Sequence, residues 1–278
     1  MRAWPGGIPA GEVLRLIREL RAEARAERPL LVLGPRELRS VVKRELTRDG
    51  VESAVREEGE MEGAAGIVYI LLGEPGADDL DVLRRAERAR VPVVALLIEP
   101  PGARLADPPY VLAEHVVRVG GGASLPVEEL VRALAKALGE KATPLAARLP
   151  ALREPVVDEL IRRAARRTAL LGAAAVVPGS EVPVLALAQV RLLLRIADAY
   201  GFELDRKRLP EAVGAIASGL GVRSLGRAAL GLVPVAGWLA RGGIAYAGTR
   251  AVGEAARRYF SARAPVTRTV ASRSLFPR

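Results

Sequence analysis

The sequence predicts a doubly wound α/β sheet followed by an all-helical, strongly apolar region, and three observations carry that expectation. Apolar runs without polar alternation, at 30–33, 66–72 and 91–98, are separated by amphipathic stretches, the pattern of parallel strands covered on both faces. From Thr168 onward Ala, Leu, Val and Gly dominate. The two textures meet near residue 140, where Gly139 ends an amphipathic helix.

Each element has its own signal. Val13, Leu16, Ile17, Leu20 and Ala24 form one stripe, which predicts a helix over 10–26. Leu30–Leu33 reads as a short buried strand, Glu37–Thr47 as a helix and Val51–Val55 as a weaker strand. "GIVYILL" at 66–72 is a strong strand, followed by a helix over 78–90. "VPVVALLI" at 91–98 and "HVVRV" at 115–119 are further strands. Ser124 is expected to cap the next helix, with Pro126 in its first turn and Glu128 and Glu129 near its start. Leu152, Val156, Leu160, Ile161 and Ala164 mark another amphipathic helix. Two apolar regions follow, 169–190 and 212–253, and "SARAPVTRTVASRSLFPR" closes the chain without periodicity, as a disordered basic tail does. The expected division is an N-terminal helix at 1–28, an α/β domain at 29–143, a hydrophobic helical domain at 144–260 and a tail at 261–278.

Composition removes much chemistry. The 278 residues suffice for two domains with their own cores. With no cysteine, thiolate metal sites and cysteine nucleophiles are excluded. The single histidine, His115, beside an apolar strand, reads as structural. A net charge of +10, mostly from Arg, favours acidic partners such as anionic lipid, nucleic acid or acidic protein. Two Trp, five Tyr and three Phe are too few for a base-stacking face. The first twenty residues carry charges every few positions and no apolar signal core, so the chain is expected on the cytoplasmic side.

"LLVLGPRELRSVV" at 30–42 stands where a nucleotide-binding domain carries its phosphate loop. Counting from Gly34, the second glycine of a Walker A loop falls on Arg39, the lysine on Ser40 and the hydroxyl on Val41. Pro35 removes an amide donor. Arg36 and Arg39 are the residual candidates for an anion at a helix N-terminus.

The order of elements resembles an Era-type small GTP-binding domain, most closely over residues 64–102. Where that family has Asn-Lys-x-Asp, this chain has Ile98, Glu99, Pro100 and Pro101. Where it has Ser-Ala-Lys, Gly120, Gly121 and Gly122 stand, and "EEGEMEG" offers only Glu60 and Gly63 for the switch II motif. The resemblance therefore implies a degenerate, P-loop GTPase-like fold with no nucleotide cofactor and no catalytic or metal-binding residue. Residues 165–260 resemble the YcjF-like domain of unknown function, a family that often follows Era-type domains. Pro178, Pro183, Gln189, Tyr200, Gly201, Pro234, Gly237, Thr249, Gly253, Tyr259 and Phe260 carry this likeness.

Residues 169–190 are long enough to cross a bilayer but contain Glu181, Pro178 and Pro183. A mid-segment carboxylate costs on the order of 3 kcal/mol. "RRAARR" at 162–167 flanks this segment as a basic collar would, and Arg162, Arg163, Arg166 and Arg167 are the candidates for lipid headgroup contact. The preferred reading is a non-catalytic, membrane-associated adaptor or regulator at the inner-membrane cytoplasmic face. A helical hairpin or interfacial insertion is preferred to two full spans, and the expected partners are anionic lipid and a protein such as an active GTPase. One rival is an atypical NTPase holding a metal nucleotide with Arg36, Arg39 and the acidic "GADDLD" at 76–81. The others are a fully soluble helical bundle and a basic nucleic-acid binder, the latter without any recognition motif.

Overall fold

The structure, a computed structural model, describes residues 10–120, 123–174, 182–202 and 238–264. The chain divides into two units. The α/β unit comprises 28–137 together with 148–152; the helical unit comprises α1 (Ala10–Arg25), 138–147 and 153–264.

The strands of the α/β unit are β1 (Leu30–Leu33), β2 (Val55–Arg56), β3 (Gly66–Leu72), β4 (Val93–Glu99) and β5 (Val116–Gly120). They form one all-parallel sheet in the order β2-β1-β3-β4-β5. This is a doubly wound order with its switch point between β1 and β3. Its helices are α2 (Arg36–Thr47), α3 (Ala77–Arg88) and α4 (Val127–Leu138).

Right-handed crossovers decide which face each connection covers. The β1-to-β2 link runs one way along the sheet and carries α2. The links β2-to-β3, β3-to-β4 and β4-to-β5 run the other way, so they share the opposite face. On that face Leu31, Ile67, Tyr69, Leu71, Val93, Ala95 and Leu97 pack with Leu83 and Ala86 of α3. The alternate residues Leu30, Val32, Val68, Ile70, Val94 and Leu96 are equally buried and point to the α2 face. Hence the strands are apolar throughout. Only β3-to-β4 carries a helix on the α3 face. The β2-to-β3 link is residues 57–65 with a 3-10 turn at Met61–Gly63, and the β4-to-β5 link is an irregular loop that ends in a 3-10 turn at Ala113–His115.

Three expectations are corrected. The stretch 51–55 is mostly a 3-10 turn, Glu52–Ala54, with a two-residue strand after it. Ser124 does not cap α4; the Pro126 carbonyl accepts the first bond, from Leu130 N–H at 3.0 Å. The first helix is not a separate segment, because α1 belongs to the helical unit and Leu16, Ile17 and Leu20 are buried there. The boundary at 143 also shifts. Residues 148–152 join the α/β unit, where Arg148 O accepts from Val51 N–H at 2.9 Å and its guanidinium donates to Ser53 Oγ at 3.1 Å.

The helical unit adds α5 (Thr143–Arg148, its last residue grouped with the α/β unit), α6 (Arg153–Ala174), α7 (Val182–Ala199) and α8 (Trp238–Ser261). Antiparallel register between α6 and α8 follows from three contacts. Arg257 pairs with Asp158 at 2.8 Å, Thr168 and Thr249 share a hydroxyl hydrogen bond of 2.9 Å, and Gly242 lies against Ala169 and Ala173. A Cβ on Gly253 would meet Ile161 Cγ1 at 2.7 Å, so small residues set the closeness of this helix pair. The buried stripe of α6 uses Val156, Val157, Leu160, Ile161 and Ala165; Ala164, expected in it, is only half-buried.

Candidate functional site

At the switch point Gly34 has φ +121°, and a Cβ there would lie 2.6 Å from Ile70 O and 2.9 Å from Ile70 Cβ. The β1–α2 turn therefore runs against β3, and only a glycine fits at this position. Arg36 is exposed. Arg39 does not join it around an anion: its Nη1 donates to Glu57 O at 2.8 Å, tying α2 to the loop after β2.

The acidic run at 76–81 is likewise committed to structure. Asp79 Oδ2 accepts from Gly76 N–H at 2.9 Å, closing the first turn of α3, and Asp79 Oδ1 accepts from Tyr69 Oη–H at 2.7 Å. Burial, then the Asp79 carboxylate, push the Tyr69 phenol well above its ordinary range, so it stays a donor. Asp81 pairs with Arg84 at 2.9 Å. No group of three metal-ligating side chains exists among the described residues. Asp79→Ala removes a helix cap and strands a half-buried hydroxyl. It is expected to destabilise the α/β unit by roughly 2–3 kcal/mol, measured as a lower urea midpoint, with Asp79→Asn losing less.

Beneath the 100–112 loop Arg118 bridges Glu99 and Asp107. Leu105 N–H donates to Glu99 Oε1 at 2.9 Å, and this bond, with Arg118, holds the Glu99 carboxyl below its usual range. The cluster pins an irregular loop to the sheet edge, and its charges are mutually satisfied.

In the helical unit a second network joins α1, residues 140–143 and α7. Arg195, only 5 % exposed, donates to Glu23 and to Thr143 Oγ1 at 3.3 Å, with Glu140 Oε2 at 3.6 Å. Asp198 lies beside it with Oδ2 unpartnered among the described residues. Burial raises its pKa against the opposing effects of Thr143 and Arg195. A raised carboxyl pKa means a stability contribution present below the unfolded value of 3.8 and lost as pH rises through the folded value. Asp198→Asn is therefore expected to raise the urea midpoint at pH 7 and to match the parent near pH 3.5. A lower midpoint at pH 7 would show that pairing with Arg195 outweighs burial.

The arginines at 162–167 separate into paired and unpaired groups. Arg162 and Arg163 both engage Glu159, and Arg167 lies 3.7 Å from Glu140. Arg166 is exposed and makes no ion pair among the described residues, as does Arg250 of α8. Since Thr168 faces Thr249, Arg250 sits at the level of Arg166 and Arg167. Beyond that level the α6–α8 pair exposes Leu170 (73 %), Leu171 (38 %) and Ile244 (46 %). The register that brings Ile244 beside the two leucines was not readable from sequence, because α8 lies some seventy residues away.

The residues behind the helical likeness are mostly internal fasteners. Tyr200 Oη–H donates to Glu154 at 2.6 Å, Gly201 takes φ +76°, Thr249 bonds Thr168, and Phe260 stacks with Phe202 at 5.2 Å. Pro178, Pro234, Gly237 and the tail at 265–278 lie outside the described residues. Among the described residues no helix is long and apolar enough to cross a membrane.

Fold and sites together define a doubly wound α/β protein with an α-helical companion unit. No protein-family model, curated protein or solved structure matches the chain.

Proposed function

We propose that this protein is a non-catalytic adaptor or regulator. It binds the cytoplasmic face of an anionic membrane through the end of its helical unit and uses the α/β unit as a rigid docking head. One observation carries the reading: apolar side chains are exposed at one level of an antiparallel helix pair, directly beyond Arg166 and Arg250, which make no ion pair among the described residues. Arginine at the headgroup level with leucine below it is the arrangement of an interfacial helix, and it requires no span. The segment 212–237, in the sequence between α7 and α8, is itself largely apolar, interrupted only by Arg223 and Arg227.

The absence of Walker A residues at Arg39, Ser40 and Val41 and the committed Asp79 support a head that has lost nucleotide chemistry, consistent with a degenerate Era-type domain. The strand order agrees with that ancestry but is shared by other doubly wound proteins. The YcjF-like reading of the helical unit rests on the residues quoted for it.

The test is flotation of the full chain with anionic and with neutral vesicles, at low and high salt. The proposal expects flotation with anionic vesicles that high salt weakens but does not abolish. Complete release by salt would assign the basic surface to soluble polyanions and sink the apolar anchor.

A further inference from the structure

The short β2-to-β3 connection has a structural consequence on the α3 face. A parallel crossover ordinarily takes a dozen or more residues and contains a helix. Here 57–65 turns back through a single 3-10 turn, and the place beside α3 where a crossover helix would pack is open. It forms a cleft of about 810 Å³. Leu33 and Tyr69 floor it, Met61 stands on one wall and Val82 on the other.

The charges on the two walls differ in sign. Arg85 and Arg88, at i and i+3 on α3, point to the cleft side, are exposed and make no ion pair among the described residues. Their neighbour Arg84, on the other side of α3, is paired with Asp81. Arg85 and Arg88 lie in the last turn of α3, where the helix dipole favours cations, and their side chains remain available to an incoming carboxylate. The opposite wall carries Glu60 and Glu62, also exposed and unpaired among the described residues.

We propose that this cleft is a docking groove for a short amphipathic helix of a partner protein, seated where the fold omits its own crossover helix. An apolar stripe lies on Leu33, Met61, Tyr69 and Val82. Acidic residues on one flank of the incoming helix meet Arg85 and Arg88, and basic residues on the other meet Glu60 and Glu62. From Val82 to Ala89 the wall runs about 10 Å, the length of two helical turns. A helix fits this site better than an extended strand, because the β1–β3 floor is the interior of a sheet and offers no free backbone edge. The inference rests on the reading of the α/β unit as a docking head, but makes no use of lipid.

The test is a display library of 14-residue helix-forming peptides panned on the full chain without vesicles. Enriched peptides are then measured by fluorescence anisotropy. Expected are sequences with apolar residues at i, i+3, i+4 and i+7 and Asp or Glu along one flank. Their affinity should fall at least tenfold for Arg85→Glu/Arg88→Glu and recover when the peptide's acidic flank is changed to Lys. Both substitutions are at exposed positions, and circular dichroism checks that the fold is kept. No helical enrichment, or equal binding to the double variant, overturns the groove while leaving the flotation result untouched.

Discussion

Leu170→Glu/Leu171→Glu/Ile244→Glu is expected to abolish flotation with anionic vesicles while lowering the thermal transition of the chain only modestly. Leu170 is mostly exposed, and Leu171 and Ile244, about half covered, can still place a carboxylate in water. Their transfer into the headgroup and acyl boundary is worth on the order of 3–5 kcal/mol together. Three carboxylates in their place add repulsion from anionic lipid. Partitioning should drop by at least about two orders of magnitude, since each 1.4 kcal/mol is tenfold. Arg166→Glu/Arg250→Glu should have a smaller effect, visible on anionic vesicles at low salt, because a juxtamembrane charge contributes about 1 kcal/mol and is screened within a Debye length. Equal flotation of the triple variant and the parent would place the anchor elsewhere in the chain.

Gly34→Ala is expected to be the most damaging single methyl addition in the α/β unit. Two costs coincide there. The residue sits at φ +121°, a region that side chains avoid, and the new Cβ would press on Ile70 backbone at 2.6 Å. The neighbour is a central strand buried on both faces and cannot yield cheaply. A loss of roughly 3 kcal/mol, or at least about 10 °C in the transition of this unit, should follow. The same measurement on the parent with magnesium and GTP bears on function. The turn lacks the Walker A glycine, lysine and hydroxyl, so no upward shift is expected. A stabilisation that rises with nucleotide concentration would reopen the NTP-binding reading.

Much of the α/β unit was legible because its information is local. β3 was expected at Gly66–Leu72 and is found there, since a short apolar run ended by Gly73-Glu74-Pro75-Gly76 is too short for a buried helix and suits a buried strand. The helices were found to within two residues from their stripes. The sequence alone also determined that no Walker A pattern stands after β1, because that pattern depends on residue types at fixed spacing, and Arg39, Ser40 and Val41 are other types.

Tertiary structure decided what depends on distant residues. The stripe of α1 shows that Leu16, Ile17 and Leu20 are buried but not against what, and only packing assigns them to the helical unit. Arg166 and Arg167 look alike in "RRAARR", yet the fold brings Glu140 to within 3.7 Å of Arg167 while Arg166 makes no ion pair among the described residues. Ile244 meets the level of Leu170 only because α8 runs antiparallel to α6. The cleft beside α3 exists because a nine-residue connection, unremarkable in sequence, must cross over β1 and does so without a helix. Periodicity shows which side of an element is apolar; what that side meets, or fails to meet, is set by the path of the chain through space.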